Sequence, residues 1–266
     1  MADLAVCGRL AAALCQAFVV QAEDGIRDLI VNGVQTCALP ICGINTFDGK
    51  NFHSVKRRGL VGDNFTSKKI IDQLPGNAAI GHNRYSTTGL PIVRNIQPFF
   101  ADLYLGGISI AHNGNLTNAI HIREKMVKEG AIFQTTSDTE TVVQLIAKYR
   151  RSKIVDKIID SIFQILGCYA MFMLTNKKLI GIRDPYGIRP LVLGKLGESY
   201  IFASETCALD IIGEEFVREV ENGEIVIINH NAIESIKPFT KQKASQCIFY
   251  YIYFSRPDSV VGRKGV

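Results

Sequence analysis

Three short segments hold residues whose types and order suit one kind of chemistry. They are His82-Asn83-Arg84-Tyr85-Ser86-Thr87-Thr88-Gly89, Ala111-His112-Asn113-Gly114-Asn115 and Thr136-Ser137-Asp138-Thr139-Glu140. Together they offer a guanidinium, a side-chain amide beside a glycine N–H, and a carboxylate. Arg84 can pair a carboxylate through its planar fork, and Asp138 can pair an ammonium. Asn113 and the Gly114 N–H can donate to the oxyanion that forms when an amide carbonyl is attacked. Glycine at 114 also lets a ligand approach the main chain closely. A free amino acid with an amide side chain needs all of these groups, and L-glutamine is such a molecule.

Each residue also has a plainer reading. Arg84 at a strand end can form a surface ion pair. Asn113-Gly114 has the composition of a tight turn. Ser137-Asp138, with Glu140 close behind, reads as a helix start in which Asp138 is only a cap. The joint order of the three segments favours the chemical reading over the three separate ones.

Hydrophobic periodicity supplies the elements that must carry these residues. Strands are expected at Phe47–Val55, Ala78–Arg84 and Leu103–His112, the last ending at the Asn-Gly turn. Helices are expected at Asn118–Glu129, Asp138–Tyr149 and Lys153–Leu166. Short strands follow at Tyr169–Thr175, Leu179–Asp184, Leu191–Lys195 and Tyr200–Ser204, with a hairpin of Glu224–Asn229 and Ile233–Lys237. Strands grouped apart from helices argue for antiparallel sheets and an α+β fold.

The chain has 266 residues, 47% of them hydrophobic and 21% charged, an ordinary globular composition. A net charge of +5 without a long basic block gives nucleic-acid binding little support; Lys56-Arg57-Arg58 and Lys148–Lys153 read as solvated faces. Seven cysteines show neither metal-site spacing nor a secreted framework. Cys168, Cys207 and Cys247 read as small buried residues. No run reaches the roughly 18 apolar residues of a membrane span, so a cytoplasmic protein is expected.

The three segments resemble the class II glutamine amidotransferase domain of the N-terminal-nucleophile hydrolases. Arg183-Asp184-Pro185-Tyr186-Gly187-Ile188-Arg189-Pro190-Leu191, Ser204-Glu205-Thr206-Cys207-Ala208-Leu209-Asp210 and Tyr251-Ile252-Tyr253-Phe254-Ser255-Arg256-Pro257-Asp258-Ser259 narrow the resemblance. They are similar to the branch that delivers ammonia from glutamine to phosphoribosyl pyrophosphate, giving phosphoribosylamine for purine synthesis. The resemblance implies an αββα sandwich, two antiparallel sheets between helix layers. It implies that Arg84, Thr87 and Asp138 bind glutamine, and that Asn113 and Gly114 form the oxyanion hole. It also implies magnesium with phosphoribosyl pyrophosphate in a further domain, a homo-oligomer, and in one group of relatives an iron–sulfur cluster to which Cys247 contributes. The alternatives are another class II amidotransferase, such as those making glucosamine phosphate or asparagine, or a catalytically dead glutamine-binding or structural domain.

The family nucleophile is an N-terminal cysteine whose own amine serves as base. Ile41-Cys42-Gly43-Ile44 has a tempting appearance, but Asn45-Thr46-Phe47-Asp48-Gly49-Lys50 follows at once and resembles a later family segment. Cys42 therefore corresponds to the small residue of an Ala-Gly-Ile strand, and no nucleophile is identified; Cys7 and Cys15 lack the pattern. Residues 21–41 resemble a translated sequencing-library adapter, with Leu29-Ile30 where a sample index would fall. The organisation expected is therefore a non-native leader at 1–41, the amidotransferase domain at 42–258, and the start of a truncated link at 259–266. A chain without its first native strand and helix is expected to be poorly stable and inactive.

Overall fold

The computed structural model describes residues 41–59, 61–84, 93–196, 199–229, 232–245, 247, 248, 250, 259–261, 264 and 265. The expected leader apart from Ile41, the cysteines at 7, 15 and 37, Thr87, and residues 251–258 lie outside them.

The first element is a hairpin of β1 (Ile41–Phe47) and β2 (Phe52–Arg58). The expectation of one strand across Phe47–Val55 is corrected here, because Asp48 turns the chain. Its carboxylate accepts the N–H groups of Lys50 at 2.8 Å and Asn51 at 2.7 Å, a side-chain mimic of a backbone turn. On its other edge β1 pairs with β3 (Ala78–Arg84), giving the order β2-β1-β3. Alternation along β1 sorts its side chains to two faces. Cys42 and Ile44 pack with Val55 against Val61, Phe65 and Leu74, around the short helices α1 (Val61–Asn64) and α2 (Lys68–Ile71). Asn45 and Phe47 face the opposite way, where Asn45 Nδ2 donates to Ser109 Oγ at 2.6 Å.

A six-stranded antiparallel sheet lies beneath. It comprises β4 (Phe99–Leu103), β5 (Gly106–Leu116), β6 (Gly167–Thr175), β7 (Leu179–Arg183), β11 (Ile225–Asn229) and β12 (Ala232–Ile236), in the order β12-β11-β7-β6-β5-β4. One face buries Ile108, Ile110, Met171, Met173, Ile180 and Ile182 against helices α3 (Ala119–Lys128), α4 (Thr139–Lys148) and α5 (Ile154–Ile162). The other face buries Ala111, Ala170, Phe172, Leu174 and Val226. Above it sit Phe47 and Ile80 from the first sheet, and Leu193 and Phe202 from a second three-stranded sheet. That sheet has the order β10-β8-β9, from β8 (Val192–Leu196), β9 (Ser199–Ala203) and β10 (Glu215–Glu219). Ala208 and Leu209 of α6 (Thr206–Ile212) cover its outer side through Val192, Ile201 and Ala203.

The layers thus run helix, sheet, sheet, helix: the expected αββα sandwich. One edge is stapled by Glu224, whose carboxylate takes both terminal nitrogens of Arg218 on β10, at 2.8 and 2.9 Å, and the Ser235 hydroxyl on β12 at 2.6 Å. Burial pushes the pKa of Glu224 up, but Arg218, Ser235 and the Glu221 N–H outweigh it and hold the carboxyl below its ordinary value. A two-residue ladder of β13 (Val260–Val261) with β14 (Lys264–Gly265) follows. Among the described residues no helix is long and apolar enough to cross a membrane.

Candidate active site

The site is built on β5. The strand does not stop at Asn113-Gly114 as the turn reading requires. It runs through both residues to Leu116, with Asn113 opposite Ala170 and Gly114 opposite Tyr169 on β6. Position 114 excludes any side chain. Its φ is +150°, and a Cβ there would lie 2.0 Å from the Cys168 carbonyl oxygen and 2.8 Å from His112 Nε2.

Asp138 stands immediately before α4 but makes no capping hydrogen bond to it. Its carboxylate turns back to β5, where Oδ2 accepts the Leu116 N–H at 3.0 Å and lies 3.7 Å from His112 Nδ1. The side chain is 27% exposed, so a solute can reach it. The loop that presents it is shaped by Glu140, which accepts Gln134 N–H, Thr135 N–H and the Thr135 hydroxyl, each at 2.7 Å. Asn95 clamps the same loop. It accepts the Thr136 N–H at 3.1 Å and donates to the Thr136 hydroxyl at 2.9 Å.

From the opposite layer, β3 is latched to β5. His82 Nε2 lies 3.1 Å from the His112 carbonyl oxygen; a carbonyl only accepts, so His82 carries its proton on Nε2. Gln97 Oε1 accepts the His112 N–H at 2.8 Å. Arg84, two residues beyond His82, is the last residue of β3 and pairs with Ile41 in the register. The backbone end that bears the candidate guanidinium is thereby brought beside the strand bearing Asn113 and Gly114. The Arg84 side chain and all of Thr87 lie outside the described residues.

Cys42 is not part of this constellation. It is 2% exposed and faces the α1–α2 side, with its Sγ 3.5 Å from the Gly59 carbonyl oxygen. Of the other cysteines, Cys207 is buried as expected, whereas Cys168 and Cys247 are only half-buried. Among the described residues no group of three His, Cys, Asp or Glu side chains could hold a metal ion. Cys247 supplies one thiol, which cannot hold a cluster alone.

The Arg183–Leu191 segment has a structural use. Asp184 is fully buried and accepts N–H groups from Tyr186, Ile188, Arg189 and Tyr169. Burial pushes its pKa up further than those donors pull it down. Glu205 and Thr206 of the 204–210 segment tie down described residues on either side of 251–258: Glu205 accepts the hydroxyls of Tyr250 and Ser259, and Thr206 Oγ1 accepts the Val260 N–H. Asn95 and Gln97 belong to no motif, and nothing in the sequence marks them. His82 and His112 lie within the quoted segments, yet only the fold shows them joining two layers.

Comparison with known proteins bears on the family and the fold. The family described as a glutamine amidotransferase domain matches residues 82–210, and the chain carries that domain. The amidophosphoribosyltransferase of Rhizobium etli is 52% identical over 229 residues, covering 84% of this chain and 46% of that protein. A solved structure described as the allosteric regulatory enzyme of purine biosynthesis matches with a TM-score of 0.82 at 34% identity, over 97% of this chain and 51% of that one. The glutamine phosphoribosylpyrophosphate amidotransferase of Bacillus subtilis, complexed with ADP and GMP, matches with a TM-score of 0.79 at 35% identity, over 92% and 53%. The chain belongs to the amidophosphoribosyltransferase family, and it spans about half the length of the relatives it matches.

Proposed function

We propose that this domain binds L-glutamine and is the glutaminase part of an amidophosphoribosyltransferase. The observation that carries the reading is the course of the Asp138 carboxylate. It leaves its own helix uncapped and returns to β5 three residues past Asn113. In this reading the glutamine ammonium pairs with Asp138 and the α-carboxylate with Arg84, with Thr87 beside it. The side-chain carbonyl points at Asn113 and the Gly114 N–H, which stabilise the oxyanion of the tetrahedral state. In the whole protein, ammonia released here displaces pyrophosphate from phosphoribosyl pyrophosphate, with magnesium held by residues elsewhere. A cytoplasmic setting and a homo-oligomer are part of the same proposal. Cys247 alone does not fit a cluster, and no step is derived through one.

The test is a thermal melt with and without L-glutamine, followed by calorimetry. L-Glutamine raises the melting temperature, D-glutamine does not, and Asp138→Asn and Arg84→Met each remove the shift. A melting temperature indifferent to L-glutamine in the unsubstituted protein overturns the reading. Glutamate release is scored in parallel and separates hydrolysis from binding alone.

A further inference from the structure

His112 is tied through both main-chain groups, and its ring Nδ1 lies within reach of the residues that carry the candidate anion. Its N–H goes to Gln97 and its carbonyl oxygen takes His82. The ring is 1% exposed. Nδ1 sits 3.1 Å from Thr139 Oγ1 and 3.7 Å from Asp138 Oδ2. Thr139 Oγ1 is in turn 3.5 Å from Asp138 Oδ1. A carboxylate has no proton to offer, so the contacts at Nδ1 are satisfied when His112 carries its proton there. The ring then donates to the Thr139 oxygen, and the Thr139 hydroxyl donates onward to Asp138. With the Leu116 N–H on Oδ2, the carboxylate is supported on both oxygens.

We propose that His112 is a positioning residue for the ammonium of the substrate, acting through Thr139 on Asp138. Resting on the glutamine reading, this adds a division of labour within one strand. Asn113 and Gly114 address the amide end of the ligand. The residue just before them fixes the anion that addresses the amino end, so a change in β5 moves both ends together. Such supporting contacts hold a binding group within the narrow range of geometry that recognition needs.

The test compares two ligands in calorimetry on the full chain: L-glutamine, and glutaramate, which is the same molecule without its amino group. In unsubstituted protein L-glutamine binds more tightly. His112→Gln and Thr139→Val each lower L-glutamine affinity about tenfold and leave glutaramate affinity within about twofold, so the preference for the amino group shrinks. Asp138→Asn abolishes the preference and sets the scale. Equal weakening of both ligands in the two variants, or no change in either, overturns the inference while the glutamine reading stands. If His112→Gln does not fold, Thr139→Val alone decides, since it removes the middle of the relay and keeps the ring. Unsubstituted protein that binds neither ligand overturns the glutamine reading, and this inference with it.

Discussion

The six-stranded sheet runs unbroken from β12 to β4, whereas the layer facing it comprises, among the described residues, two separate three-stranded sheets. The two halves of the candidate site inherit that difference. Asn113 and Gly114 lie on β5, which is laddered to β4 on one side and to β6 along its length on the other. Arg84 ends β3, which reaches β5 through side-chain ties: His82 on the His112 carbonyl, and nearby Asn45 on Ser109. A ladder distributes its load over many backbone bonds, while a tie contributes roughly 1 kcal/mol by itself. The oxyanion side is therefore held by ladders within one sheet, and the carboxylate-binding side is joined to it across the layers by these ties and by the apolar packing of Phe47 and Ile80.

The strongest blow to this contrast comes from the core under the unbroken sheet. Ile110 is fully buried against α4, and Ile110→Ala should cost about 3–4 kcal/mol in urea unfolding. A cost below about 1 kcal/mol would show that this sheet is not the more firmly held half. Next in size is Gly114→Ala, which has no room for its methyl against the Cys168 carbonyl. A loss of about 2–3 kcal/mol is expected, together with loss of the melting shift caused by L-glutamine. The ties come third. A double-mutant cycle of Asn45→Ala and Ser109→Ala should report a coupling of about 1 kcal/mol; a coupling indistinguishable from zero would mean that the layers are held by apolar packing alone.

The smallest effect concerns Lys56, which the sequence places on a solvated face and the fold leaves half-buried. Its ammonium sits 5.3 Å from the centre of the Phe99 ring, and burial lowers its pKa from 10.5 to about 8. Between those two values the unfolded chain binds more protons than the folded one, so this group's contribution makes stability rise with pH. Below the lower value both states are charged, and the penalty of burying the ammonium is fully present. Melting temperatures of unsubstituted protein and Lys56→Met, measured from pH 7 to 10, should converge as the pH rises. Parallel curves would place Lys56 in water.

Much of the laddered half is legible in the sequence. Tyr169–Thr175 and Leu179–Asp184 show as apolar runs, and Asp138–Tyr149 shows by helical spacing, because each element meets one continuous core. The divided layer is harder to read. The single strand expected at Phe47–Val55 straddles Asp48-Gly49 and hides the two strands that meet there. The edge strands β4 and β10 expose Phe100, Phe216 and Val217, so neither alternates cleanly enough to declare itself. At the site, residue types suggest the chemistry to consider, but local statistics misplace two of them. Asn-Gly favours a turn until β6 pairs straight through it, and Ser137-Asp138 favours a cap until Leu116 supplies a better partner for the carboxylate. Both outcomes are decided by residues far along the chain, which no window on the sequence contains.

The Glu140 clasp has a consequence for the order of assembly. Its bonds close rings between residues five and six apart, while the Asp138–Leu116 bond joins residues 22 apart. The shorter closure makes the smaller demand on chain entropy. The 134–138 loop can therefore take its final shape while β5 is still remote, and Gln134 and Thr135 should be among the early amides to resist deuterium in pulse-labelled refolding.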